Sequence, residues 1–287
     1  MKKIDRPTFG PGGNSESFYN DGMKSTVQAP AWLASYGLDA YEYEAGNGLT
    51  AGDASLRKVG EEAKKHGILM SFHTPYFISL SGIEEEKRLN SINYISRSLH
   101  AAELLCADTI VIHTGSAAKI SREEAMALAA DTLEKNLEVN GKTTIRMGLE
   151  TMGKINQLGT LDEVLTLCKL APIYHPVVDF GHMNARYLGG YFSDVDSYRA
   201  IFDKIATTLG DEYAYNLHCH FSKIEYTKAG EKKHLTFEDR VFGPDFEPLA
   251  EAIVREGVCP RIICESAGTM AEDALYMKNA WLCAKGE

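Results

Sequence analysis

The sequence predicts a closed (β/α)8 barrel of the α/β class, and three observations predict it. Short β-rich apolar runs alternate with amphipathic stretches to the end of the chain, the pattern of parallel strands joined by crossover helices. Eight such runs fit into 287 residues, close to the ~250 residues that an α/β barrel uses in one domain. Gly10-Pro11-Gly12-Gly13 follows the first run but lacks the G-x-G-x-x-G spacing, and the helix directly after it, that mark an open doubly wound sheet.

The strands are expected over 6–9, 40–43, 68–72, 109–112, 145–149, 174–178, 213–217 and 260–264, where Val, Ile, Tyr and Phe concentrate. Helices are expected over 53–66, 83–105, 121–140, 161–169, 194–209, 246–256 and 271–284. Ser121 with Glu124 three residues on is a capping-box pattern. Gly37, Gly67, Gly210 and Gly257 stand where such segments close. No Pro/Ser/Gly-rich linker interrupts the series, so one barrel domain over 1–287 is expected.

Composition narrows the function classes. Hydrophobic residues at 44% and charged residues at 24% suit a globular chain with a large core, which excludes disorder. A net charge of −10 argues against coating nucleic acid through the overall field, while leaving room for a locally basic cleft. The first residues lead into no apolar h-region, and no apolar run reaches 18 residues. A cytoplasmic, non-membrane protein, most simply a monomer, is therefore expected. Six cysteines without a C-x-x-C pair read as reduced, mostly buried thiols.

Chemistry concentrates at the strand ends. His73, His113, Glu150, Asp179, His218 and Glu265 each close a predicted strand and are 40, 37, 29, 39 and 47 residues apart, about one β/α unit each time. In a barrel these ends converge on one face. Imidazole nitrogen and carboxylate oxygen are the donors that hold divalent zinc or manganese, and Glu150, central in the series, is the candidate bridge between two ions. A lone strand-end His or Asp is more often a cap or a backbone partner. Six in succession, however, point to a metal site. His66, His100 and His175 fall elsewhere and are expected to bind nothing.

His73-Thr74-Pro75-Tyr76-Phe77-Ile78-Ser79-Leu80 resembles the H-x-x-Y-hydrophobic-I-N-L segment of the endonuclease IV family, a group within the xylose isomerase-like TIM barrels. Asp179-Phe180-Gly181-His182 resembles its D-x-x-H segment, and His218-Cys219-His220-Phe221-Ser222-Lys223 its H-x-N-D-S-K segment. The strand ends around His113, Glu150 and Glu265 match as well, and the resemblance runs from about Ala40 to the C-terminus. It implies a site of two or three zinc ions, manganese being the other candidate metal, that cleaves duplex DNA 5′ to an abasic nucleotide. His73, His113 and Glu150 would hold the first ion; Glu150, Asp179, His218 and Glu265 the second; His182 and His234 the third. Glu265, with Glu150, would be catalytic, orienting or deprotonating the attacking water. Tyr76 and Phe77 would enter the minor groove at the lesion, and Lys223 would meet phosphate.

The pattern is broken after the seventh strand. Lys232-Lys233-His234 stands where the family has a D-x-H pair, leaving Glu231 or Asp239 as the carboxylate that can substitute. His220-Phe221 replaces a polar Asn-Asp pair. Two further readings stay open: a sugar isomerase or epimerase using Glu150, Asp179, His218 and Glu265 on one manganese, and a metal-binding barrel without catalysis.

Overall fold

The structure is a computed structural model that describes residues 5–287. Eight parallel strands form one sheet: β1 (Thr8–Pro11), β2 (Ala40–Glu44), β3 (Leu69–His73), β4 (Thr109–His113), β5 (Arg146–Glu150), β6 (Tyr174–Asp179), β7 (His218–Phe221) and β10 (Arg261–Cys264). Their order is β1-β10-β7-β6-β5-β4-β3-β2. The ring closes between β1 and β2, where Asp39 N–H donates to Phe9 O at 2.9 Å, Gly13 N–H donates to Glu42 O at 3.0 Å, and Gly12 bridges Glu42 in parallel. This is the (β/α)8 barrel that the sequence predicts.

Period-2 alternation sorts the side chains. Met70, Phe72, Ile110, Ile112, Met147, Leu149, Tyr174, Val178, Ile262 and Cys264 join the core between sheet and helices. The residues between them point into the barrel, and the last of each set reaches its carboxyl-end mouth. Helices α2 (Ala29–Ser35), α3 (Asp53–His66), α4 (Glu85–Leu105), α5 (Arg122–Asn140), α6 (Leu161–Cys168), α8 (Val195–Leu209), α10 (Glu247–Glu256) and α11 (Met270–Lys285) pack outside. Ser121 caps α5 by accepting from Glu124 N–H, and Thr160 with Glu163 forms a full capping box at α6.

Differences from expectation have local causes. The seventh strand is expected over 213–217, but Asp211–Tyr215 is a short helix, α9, and the strand begins at His218. Aromatic propensity favours the earlier segment; pairing with both neighbours favours the later one, where His218 stands opposite Val177 and Arg261. The first strand is likewise two residues later than expected. A two-stranded hairpin, β8 (Ile224–Thr227) with β9 (Gly230–His234), and helices α1 (Glu16–Asn20) and α7 (Phe180–Arg186) complete the fold. No helix among the described residues is long and apolar enough to cross a membrane.

Candidate metal centre

The ligand-type residues stand opposite one another on three strand pairs, Glu44 with His73, His113 with Glu150 and Asp179 with His220, and step by two residues on the pairs between, where His73 stands opposite Val111 and Glu150 opposite Val177. Glu150 is at the hub and fully buried. Its Oε2 lies 3.2 Å from His113 Nε2 and 3.6 Å from His73 Nε2. Its Oε1 lies 2.9 Å from His220 Nδ1 and 3.5 Å from His182 Nδ1. One carboxylate thus divides two pairs of imidazoles between its two oxygens.

Among the described residues five overlapping ligand groups result, two of them, Glu42 with His218 and His220 and Glu42 with Glu44 and Glu265, built on Glu42 and three at the mouth. His73, His113 and Glu150 form one; Glu150, Asp179, His220 and Glu265 form another; His182, His234 and Glu265 form a third. In each, donor atoms lie within 4.8 Å of one another. Asp179 also caps α7: its Oδ1 accepts from His182 N–H at 2.7 Å, which fixes His182 just above the mouth. The hairpin brings His234 over the mouth, with Nδ1 2.8 Å from Ser222 Oγ.

His73, His113, Glu150, Asp179, His182, His234 and Glu265 are brought together, whereas His218 is not beside the last four. It sits one layer deeper, 3.0 Å from Glu42 Oε2, and His220 occupies the position at Glu150, Asp179 and Glu265. Strand residues two apart share a face, so the H-x-H spacing signals that either histidine can fill that place. Lys223 is buried and donates its ammonium to Asp239 O at 2.8 Å, with Asp245 Oδ1 at 3.0 Å. Tyr76 and Phe77 are both more than half exposed at the rim. Tyr76 stacks on the His113 ring at 5.3 Å, and Phe77 lies against Tyr94.

Three carboxylates complete the centre unforeseen or only half-foreseen. Glu42 and Glu44 lie two apart on β2, a spacing that places both on the inward face, and a buried Glu in an otherwise aromatic strand was the available signal. Glu231 lies 3.5 Å from His182 Nε2. Lys232 instead turns out to Glu225, and Asp239 caps the turn at Val241 and Phe242.

The donor set fits a divalent cation. Glu42 Oε1, Glu150 Oε2 and Asp179 Oδ2 are buried acceptors without a hydrogen-bond partner, and such oxygens need a proton or a cation. Burial would raise the Glu150 carboxyl, but His220 and then the other histidines hold it well below its ordinary value. Burial drives Glu265 well up, only partly opposed by His220. For His73, burial would lower the value; Glu44 and then Glu150 carry it to about 10.

The family model for the xylose isomerase-like TIM barrel matches residues 30–282. The chain belongs to that family. An uncharacterized protein of Methanocaldococcus jannaschii is 32% identical over 250 residues, 86% of this chain and 88% of that one. A probable endonuclease 4 of Aster yellows witches'-broom phytoplasma is 28% identical over 199 residues, 67% of this chain and 65% of its own length. Among solved structures, a D-tagatose 3-epimerase-like protein superposes with a TM-score of 0.72 at 17% identity, covering 97% of each chain; at that identity the likeness is one of fold.

Proposed function

We propose that this family member is a metal-dependent phosphodiesterase of the endonuclease IV type, acting on duplex DNA 5′ to abasic sites with two or three divalent ions, zinc foremost. The observation that carries the reading is the division of Glu150 between two histidine pairs, which serves ions on both sides of one carboxylate. The similarity to a probable endonuclease 4 supports it. His73, His113 and Glu150 would hold one ion, and Glu150, Asp179, His220 and Glu265 a second. His182, His234 and Glu231 would hold a third, with Glu231 supplying the carboxylate that the Lys232-Lys233-His234 segment lacks.

Bound cations supply Lewis-acid neutralisation of phosphoryl charge and a water acidic enough to attack. The chain's own residues do the rest. Glu265, on the open side of the centre, accepts the proton of the attacking water at a carboxylate oxygen. Tyr76 covers His113 and keeps bulk water from that flank, while Phe77 beside it offers an apolar face to an unstacked nucleotide. Gly46 is what lets Tyr76 lie there, since a Cβ would stand 2.4 Å from the ring.

One observation favours a second reading, a sugar isomerase or epimerase: Glu150, Asp179, His220 and Glu265 alone make a one-ion quartet. It leaves His73, His113, His182 and His234 without a role. Incubating metal-assayed protein with an abasic-site duplex and with a ketose panel decides. Nicking of the duplex with two or three ions per chain supports the phosphodiesterase; ketose conversion on one ion, or no nicking by fully loaded protein, overturns it.

A further inference from the structure

One layer below the mouth is a buried group that the proposed chemistry does not use. Glu42 is 0% exposed. Its Oε1 stands 2.8 Å from His220 Nε2 and its Oε2 3.0 Å from His218 Nε2. The other nitrogen of His220, Nδ1, lies 2.9 Å from Glu150 Oε1 and 3.2 Å from Glu265 Oε1. The imidazole is therefore a strut between Glu42 and the carboxylates of the centre. Strand pairing does not require this: Glu42 stands opposite Ser71, and Val177 and Ile263 fill comparable buried places on β6 and β10 with aliphatic side chains. A carboxylate in such a place is costly unless partnered, and both of its partners are histidines of β7.

We propose that Glu42 is a positioning residue of the cation centre: it holds His220 by Nε2 so that Nδ1 faces Glu150, Asp179 and Glu265, and His218 holds Glu42. The inference rests on the reading above only in taking a cation to be the ligand of that centre. An imidazole that ligates through one nitrogen has its tautomer and ring orientation set by what engages the other. Glu42 is the group at that other nitrogen. The contact is short but off the ring N–H axis, since neither atom completes a hydrogen bond, and rotation of the imidazole towards a ligated cation is what would align it. His218 matches the role of a lower support: it is buried, touches Glu42, and belongs to no ligand group that includes Glu150, Asp179 or Glu265.

The test compares wild type with Glu42→Gln, which preserves volume and removes charge, and with Glu42→Asp and His218→Gln. Zinc affinity is read by chelator competition, the ligand field by the visible spectrum of the cobalt(II) form, and the His220 Nε2–H by nitrogen-15 side-chain NMR. Glu42→Gln is expected to fold as wild type by circular dichroism, to lose about 10- to 100-fold in zinc affinity, and to shift the cobalt band. His218→Gln is expected to move both readouts the same way by less. Wild-type affinity and an unchanged cobalt spectrum in Glu42→Gln overturn the proposal. Should Glu42→Gln fail to fold, Glu42→Asp, which keeps the charge but shortens its reach, decides on the same criteria. If wild type takes up no cation, the function proposed above falls, and NMR judges this inference alone: a His220 Nε2 resonance that moves in Glu42→Gln supports it, and an unaltered signal refutes it.

Discussion

Glu150 presents one oxygen to His73 and His113 and the other to His182 and His220, so in the proposed centre a change there would disturb more than one ion. Glu150→Gln is expected to lower bound metal by at least one ion per chain and activity by more than about 100-fold, since removing a ligand costs at least as much as removing a residue behind one. Elemental analysis and a nicking assay check it. The third ligand group offers a sharper residue test. Glu231 is at His182, whereas Lys232 pairs with Glu225 on the exposed side of the hairpin. Glu231→Gln should therefore remove about one ion from a fully loaded chain, while Lys232→Asp should leave metal content unchanged; the reverse result would place the third carboxylate elsewhere. The sequence alone carried His73, His113, Glu150, Asp179 and Glu265 to the mouth, because strand ends converge wherever β/α units repeat. It could not choose between His218 and His220: both lie on the inward face of β7, and the choice depends on where the strand starts against β6 and β10.

At the scale of elements, the barrel depends on two devices at opposite strands. β1 and β2 close so tightly that a Cβ on Gly10 would lie 1.7 Å from Ala40 O. Backbone approaching backbone leaves no side chain to yield. Gly10→Ala is expected to destabilise by about 3 kcal/mol or more, or to abolish folding, as read by denaturant titration. At the amino ends of the strands, Asp108 clasps Arg261 at 2.8 Å and Arg146 at 3.0 Å, tying β10 and β5 to the start of β4. Burial would raise the Asp108 carboxyl, but Arg261 and then Arg146 hold it well below its ordinary value. A depressed folded value contributes stability that is present above the unfolded value of about 3.9 and is lost as pH falls towards the folded one. Asp108→Asn should thus cost about 3 kcal/mol at neutral pH, and the difference from wild type should shrink steadily below pH 4. A pH-independent difference would mean that the clasp is not electrostatic. The expected strand at 213–217 failed at this same scale, because aromatic propensity cannot see that Leu217 to Phe221 is the segment with partners on both sides.

For the molecule as a whole, the barrel was legible from the eightfold alternation, since hydrophobic period is set by burial that every strand shares. The depth of the polar centre was not, because Glu42 and Glu44 contribute from β2, a strand that the strand-end pattern leaves out, and Glu231 from a hairpin outside the β/α repeat. Several carboxylates in one barrel mouth repel one another unless protons or cations stand between them. Metal removal by chelator should therefore lower the thermal midpoint, and ion restored at 100 times its dissociation constant should return about 2.7 kcal/mol. Burial would lower His73, His182 and His220, but the neighbouring carboxylates raise all three above the ordinary imidazole value in the cation-free centre, so binding should release protons and affinity should rise with pH. The function proposed for this barrel turns on Glu150 being shared by more than one ion. The most direct test is the number of ions per chain, by elemental analysis, in wild type and in Glu150→Gln loaded under the same conditions. Two or three are expected in wild type and at least one fewer in the variant; a single ion in wild type, or undiminished content in Glu150→Gln, would contradict a shared Glu150.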